Sequence, residues 1–379
     1  MKIAYLMGVE VVMSPIIVRG PGLSMKQMTS TQRFEAALKH ETPDMVPISY
    51  FAGILQLHWV KENLTWKDTV EYGRNGLRMA QVTSHFLDEV GGDTAYVLSD
   101  VGEIVQGWGV RMKLPDAPDI HMALGKFAVN EPGDWEKLDV LDPLIDGRMP
   151  TYLDACKWLK EKYHDRVPIG VDVPSAITTS THVAPMETVL IHMLTEPDAL
   201  KKGLKTIATT VADFLNACAD EGAFYSAYLT TRASKEITTE DQYREFGVPW
   251  DMEIFKKTER LYHICHVCGV EPMFDIIAEY SRSTKNTKGI SWWDKGAKPN
   301  LKEAKDGWGK DLCLMSGIDH TNTLTDGTPE TIDKEIEEAC KIAMPGSGFI
   351  LAAGCDISPK TPKENMRAYI KAARKHGKY

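Results

Sequence analysis

The sequence predicts a single (β/α)8 barrel, and three observations predict it. Eight short β-prone runs recur along the chain, most of them apolar on both faces. Amphipathic helical stretches separate them, the alternation that builds a parallel sheet with a helix after each strand. No glycine-rich phosphate loop follows the first run, where the chain reads YFAGILQLHW. That weighs against a doubly wound open sheet, the other architecture such an alternation allows.

Each element follows in turn. Residues 1–28 form an N-terminal extension. Within it, Met1–Ser24 has an apolar stretch broken by Glu10 and lacks a small-residue cleavage site, so it does not read as a signal peptide. Met25 or Met28 could be the functional start. Residues 29–379 read as one catalytic barrel domain, opened by a helix at Thr29. The first strand is Val46–Phe51 and the second Thr94–Leu98. Val101–Lys113 (VGEIVQGWGVRMK) reads as a hairpin inserted after the second strand, and Pro115–Pro150 as a surface excursion. The remaining strands are Pro168–Val173, Ala223–Leu229, Leu261–Val267, Lys288–Trp292, Leu312–Ser316 and Gly348–Gly354. Helical periodicity marks Met186–Asp220, Thr239–Glu259, Leu301–Trp308, Pro329–Ala343 and Pro362–His376.

Composition excludes several roles. The 379 residues carry 44 basic and 53 acidic side chains, a formal net charge of −9, and are 43% hydrophobic and 26% charged. This is the balance of an ordinary globular protein. No apolar run reaches the roughly 18 residues of a membrane span. No Lys/Arg-rich stripe offers a nucleic-acid footprint. Seven cysteines, an odd number, do not make a disulfide framework, so reduced thiols in a cytoplasm are expected. Assembly as a homodimer stays open.

Catalytic residues of such barrels sit where strands end and βα loops begin. The fifth run closes as His263-Ile-Cys265-His266-Val-Cys268-Gly269, and the eighth as Gly354-Cys355-Asp356. Side chains alternate along a strand, so His266 and Cys268 share a face, and Cys355 reaches the same rim. One imidazole and two thiolates suit Zn²⁺, and three protein ligands leave a position for an exchangeable fourth. Two other readings remain open from spacing alone. The cysteines could be small core hydrophobes, or His263 and Cys265 could be the ligands in an offset register. Gly269 favours the later pair, because a glycine suits a sharp turn just after them.

Several segments resemble the uroporphyrinogen decarboxylase superfamily. Thr31-Gln-Arg33-Phe34-Glu-Ala-Ala37-Leu38, with Pro43-Asp44-Met-Val46-Pro47, resembles its first helix and strand. Gly317-Ile-Asp319 with Gly327-Thr328-Pro329-Glu330 fits its seventh-strand region. Gly346 to Ile350, Gly354 to Pro359 and Thr361-Pro362 with Glu364-Asn365-Met-Arg367 resemble its last strand and helix. The likeness runs from Thr29 onward and implies a (β/α)8 barrel. The chain departs from the porphyrin enzyme in that Ser49–Val60 holds no basic residue except His58, where arginines would grip substrate carboxylates. His266, Cys268 and Cys355 instead resemble the zinc-dependent corrinoid methyltransferase branch. That resemblance implies these three as zinc ligands and a corrinoid (cobalamin) carried by a partner protein, since no Asp-x-His-x-x-Gly corrinoid motif occurs in the chain.

The implied chemistry moves a methyl group between a heteroatom and cobalt. The leading reading takes it from a methoxylated, aromatic donor to the Co(I) of a separate corrinoid protein, as in O-demethylation. Methylation of a thiol such as coenzyme M from methylcobalamin is the alternative, and decarboxylation of a non-porphyrin acid a second. Asp294 is a candidate fourth ligand, and Asp100 and His320 are candidate catalytic groups on the rim. His182, Tyr50, Phe51, Tyr228, Trp292 and Trp293 are expected to line a flat-walled mouth for the small methylated substrate. Arg232 keeps the thiol option open, because coenzyme M carries a sulfonate.

Overall fold

A computed structural model describes residues 27–60, 66–97, 99, 102–113 and 123–379. Most of the N-terminal extension, and Asp100, lie outside these residues. Strands β1 (Ala95–Tyr96), β4 (Ile169–Pro174), β5 (Tyr225–Leu229), β6 (Tyr262–His266), β7 (Thr287–Ser291), β8 (Cys313–Ile318) and β9 (Phe349–Ala353) form one curled sheet. β2 (Arg111–Lys113) and β3 (Ala123–Lys126) form a separate pair. The large sheet is parallel throughout and its order is sequential, β1-β4-β5-β6-β7-β8-β9. A doubly wound sheet would reverse its order midway, so that alternative is gone.

Two expectations need correction. The run Val46–Phe51 is not a regular strand: it joins β9 through an isolated parallel bridge, Ile48 to Leu351. Pro47 is the physical reason, because it has no N–H to offer a ladder and can only accept, from Leu351 N at 2.9 Å. On its other side the run is tied to the segment entering β1. Asp93 N donates to Ile48 O at 2.8 Å, and Asp93 Oδ2 accepts from Ile48 N at 2.9 Å. The hairpin expected within Val101–Lys113 is not found among the described residues there. A 3-10 turn, Val105–Trp108, precedes β2, and the antiparallel partner β3 comes from the segment expected to be a surface excursion. Of the helical expectations, Leu301–Trp308 and Pro329–Ala343 appear with those bounds. Met186–Asp220 is two helices, divided at Pro197.

Parity along the strands decides which residues face the barrel axis. Tyr96, Tyr225, Ala227, Ile264, Cys313, Met315, Ile350 and Ala352 pack together inside, plugged by Phe34, Ala37 and Leu38 from the helix Ser30–Leu38. Gly170 of β4 belongs to this face, and a Cβ there would lie 2.3 Å from the Tyr225 ring, so the plug tolerates only glycine. Toward the C-terminal ends of the strands the same face carries Asp172, Ala227, His266, Ser291 and Ala352. The intervening residues of each strand face the helices and form the larger core. No helix among the described residues is long and apolar enough to cross a membrane.

Candidate metal centre

β6 places His266 on its inward face as its last residue, and Cys268 follows two positions later. Cys355 follows β9. The three meet at the mouth although Cys268 and Cys355 are 87 residues apart in sequence. His266 Nε2 lies 3.1 Å from Cys268 Sγ and 3.6 Å from Cys355 Sγ, and the two sulfurs are 3.8 Å apart. Zinc bonds of about 2.3 Å to sulfur, at a tetrahedral angle, would put two sulfurs about 3.8 Å from each other. The donor set and its spacing therefore fit that ion.

The offset register is excluded by the same parity. His263 faces the helices, with Ser226 Oγ 2.7 Å from Nδ1 and Thr258 Oγ1 2.8 Å from Nε2. Burial pushes its pKa down to about 3, a neutral core imidazole. Cys265 is likewise buried among apolar side chains. Gly269 adopts φ +125°, and a Cβ there would come within 2.6 Å of Ser234 Oγ, so the turn after Cys268 does require glycine.

The surroundings hold the ligand side chains in place. His266 Nδ1 lies 3.3 Å from Ser291 Oγ of β7, which orients Nε2 toward the thiols. Phe51 covers the imidazole with ring centroids 4.7 Å apart. Burial works against protonating His266, but Cys355 beside it outweighs that and raises its proton affinity. The hydrogen bond with Cys355 holds the Cys268 thiol below its ordinary range, while the same contact and burial push Cys355 well above it. At 3.8 Å either thiol can donate to the other.

The other expected residues divide. Phe51 lies inside the barrel, and Trp293 approaches the mouth with its ring 5.7 Å from that of His320. Tyr50, Tyr228 and Trp292 do not line the mouth. Each stands at the outward parity and is buried against helices: Tyr50 OH donates to Gly91 O, Tyr228 OH to Asp251 and Trp292 Nε1 to Pro299 O. Asp294 is not part of the cluster either. Its Oδ1 accepts from Ser316 Oγ at 2.6 Å and Gly317 N at 3.3 Å, and Lys295 lies 3.4 Å from Oδ2. His182 and His320 each have a buried Nδ1 without a partner among the described residues. Burial lowers both, His182 to about 4.

Sequence reasoning missed Asp172. It stands on the inward face of β4, paired in register with Ala227, and its Oδ1 is buried with no hydrogen-bond partner among the described residues. Burial raises it to about 7, and His266 opposes that shift. The signal was present: one charge inside the apolar run PIGVDV.

Set against known proteins, residues 29–376 match the uroporphyrinogen decarboxylase (URO-D) family model. The chain belongs to that family. A methylcobamide:CoM methyltransferase of Methanosarcina barkeri is 26% identical over 232 residues, 61% of this chain and 65% of that enzyme's length. A methylated-thiol–coenzyme M methyltransferase of Methanosarcina mazei is 23% identical over 92% of this chain and 90% of its own. A solved methyltransferase from Methanosarcina mazei shares the fold, with a TM-score of 0.80 and 23% identity over 92% of this chain and 99% of that one. Uroporphyrinogen decarboxylases are among the relatives of this chain as well, such as that of Chlorobaculum tepidum, 24% identical over 76% of this chain and 82% of its own.

Proposed function

We propose that this protein is a zinc-dependent corrinoid methyltransferase, with His266, Cys268 and Cys355 as the metal ligands. The observation that carries the reading is the convergence of one imidazole and two thiols at the spacing of a single tetrahedral ion. Bound there, zinc would act as a Lewis acid toward the substrate heteroatom, favouring its anionic form. The protein's own residues do the rest. Ser291 and Phe51 fix the His266 ring, and Asp172, on the inward face of β4, offers a carboxylate to the substrate. His320, whose affinity for a proton burial lowers, presents an imidazole at the rim. Asp100 keeps a proposed catalytic role, outside the described residues.

For the donor we propose a methoxylated aromatic, lying against Phe51 and Trp293, with the methyl group passing to the Co(I) of a partner's corrinoid. The names of the relatives favour a second reading, methylation of a thiol from a methylcobamide. The test is elemental analysis followed by turnover with free cobalamin. We expect about one zinc per chain, and methylcobalamin formed from Co(I) cobalamin and a methoxyarene. Consumption of methylcobalamin only when a thiol is supplied would select the second reading. Zinc-free protein would overturn both and return the decarboxylase to the front.

A further inference from the structure

Arg232 is half-buried and has no ion pair among the described residues. It follows β5 on the loop that runs beside the one bearing Cys268. Thr230 N donates to His266 O at 3.0 Å, Met273 N to Ala233 O at 2.9 Å and Lys235 N to Glu271 O at 3.0 Å, so the two loops are laced together. The side chain is half-buried, and its Nε and Nη2 both donate to one neutral atom, Thr181 Oγ1, at 3.2 and 2.9 Å. No carboxylate among the described residues lies within ion-pair distance of it. Arg33 shows what the fold does elsewhere with a buried arginine: Asp44 at 2.7 Å and Asp93 at 2.5 Å both neutralise it.

A partly desolvated guanidinium with only a hydroxyl for company is costly unless an anion arrives. Thr181 occupies the Nε side of the fork, which leaves the Nη1–Nη2 edge free for two parallel bonds to an oxyanion. Beside it stands His182, on the same helix as Thr181, its Nδ1 buried without a partner among the described residues. Thr230, two residues before Arg232, is bonded to the backbone of His266, which sets the loop bearing the guanidinium against the strand that carries the cluster.

We propose that Arg232, with His182 beside it, receives an organic oxyanion, a carboxylate or sulfonate, at one end of the small substrate whose other end meets His266, Cys268 and Cys355. The assignment to substrate rests on the methyltransferase reading. The anion receptor itself does not. It makes the methyl donor an acid such as a methoxybenzoate, or the thiol acceptor an alkanesulfonate.

Titration calorimetry on the full chain, as purified, tests it with benzoate and ethanesulfonate against their neutral counterparts benzamide and ethanesulfonamide. We expect one anion to bind at least tenfold more tightly than its neutral counterpart, and the preferred anion to identify the source. Arg232→Gln should weaken that anion about 10–100-fold, and Arg232→Lys should recover part of the loss. Thermal melting of Arg232→Gln should match or exceed wild type, since a partly desolvated charge is removed. No anion preference in the wild type, or an undiminished preference in Arg232→Gln, overturns the proposal. Methyl transfer assayed on the same samples separates the two claims. Transfer without anion preference leaves the methyltransferase reading and removes the receptor, and anion binding without transfer does the reverse.

Discussion

Two buried aspartates, one outside the sheet and one inside it, receive opposite treatment. Asp251, in the helix Val248–Lys257, accepts hydroxyl hydrogens from Tyr228, Tyr243 and Tyr280 at 2.6, 2.7 and 2.9 Å. Asp172, inside the barrel, keeps an oxygen with no partner among the described residues. Burial raises both, Asp251 to about 6 and Asp172 to about 7. The same strands make the same distinction with histidine: His263 is held on both nitrogens by hydroxyls, whereas His266 turns Nε2 to two thiols. A polar group on the outer face is satisfied by the frame. A polar group on the inner face is left for whatever enters.

The comparison breaks most visibly at Asp251. Asp251→Ala strands three phenols and should cost about 3–5 kcal/mol in urea unfolding, by analogy with breaking a buried charged network; a loss below about 1 kcal/mol would mean the cluster is not part of the frame. Next come the ligands. Cys268→Ala or Cys355→Ala should lower zinc affinity by more than about a hundredfold, beyond the range of second-sphere changes, with the melting profile of the metal-free protein little altered. Asp172→Asn sharpens the contrast: stability should move by less than about 1 kcal/mol, while methyl-transfer kcat/KM falls about tenfold or more. An unchanged rate with lost stability would return Asp172 to the frame. Ser291→Ala, which frees the His266 ring, should weaken metal binding about tenfold in a competition titration.

A further effect is in pH. Asp251 has a folded pKa of about 6 against an ordinary 3.8. Between those values the folded protein holds a proton that the unfolded chain has released. Its contribution to stability therefore falls as pH rises from about 4 to about 6, by at most about 1.4 kcal/mol per unit, and is flat above. Unfolding curves of wild type and Asp251→Asn across that window should differ by this slope.

The barrel was legible because strand and helix periods differ, and the clustering of His266 with Cys268 because they sit at a strand end two residues apart. What periodicity could not supply was the inward parity of strands that are apolar on both faces. Tyr225 and Tyr228, or Trp292 and Trp293, look alike in the sequence, and only one of each pair faces the axis. A carboxylate after β7 looked like a ligand, yet Ser316 and Gly317 already hold Asp294, a long-range contact that spacing does not reveal. Asp172 needed only the rule that a lone charge in a buried strand has a purpose. The first run went astray at Pro47, where propensity was right about an extended chain and wrong about a ladder.

The separation of Cys268 from Cys355 also has a consequence for biogenesis. A nascent chain emerging from the ribosome can offer His266 and Cys268 early, but two donors make a weak grip on a soft cation. The third arrives only when the last strand has been made and has docked beside β8. On the proposed metal site, full-strength capture is thus a checkpoint on completed synthesis: a chain truncated before Cys355 lacks the third donor.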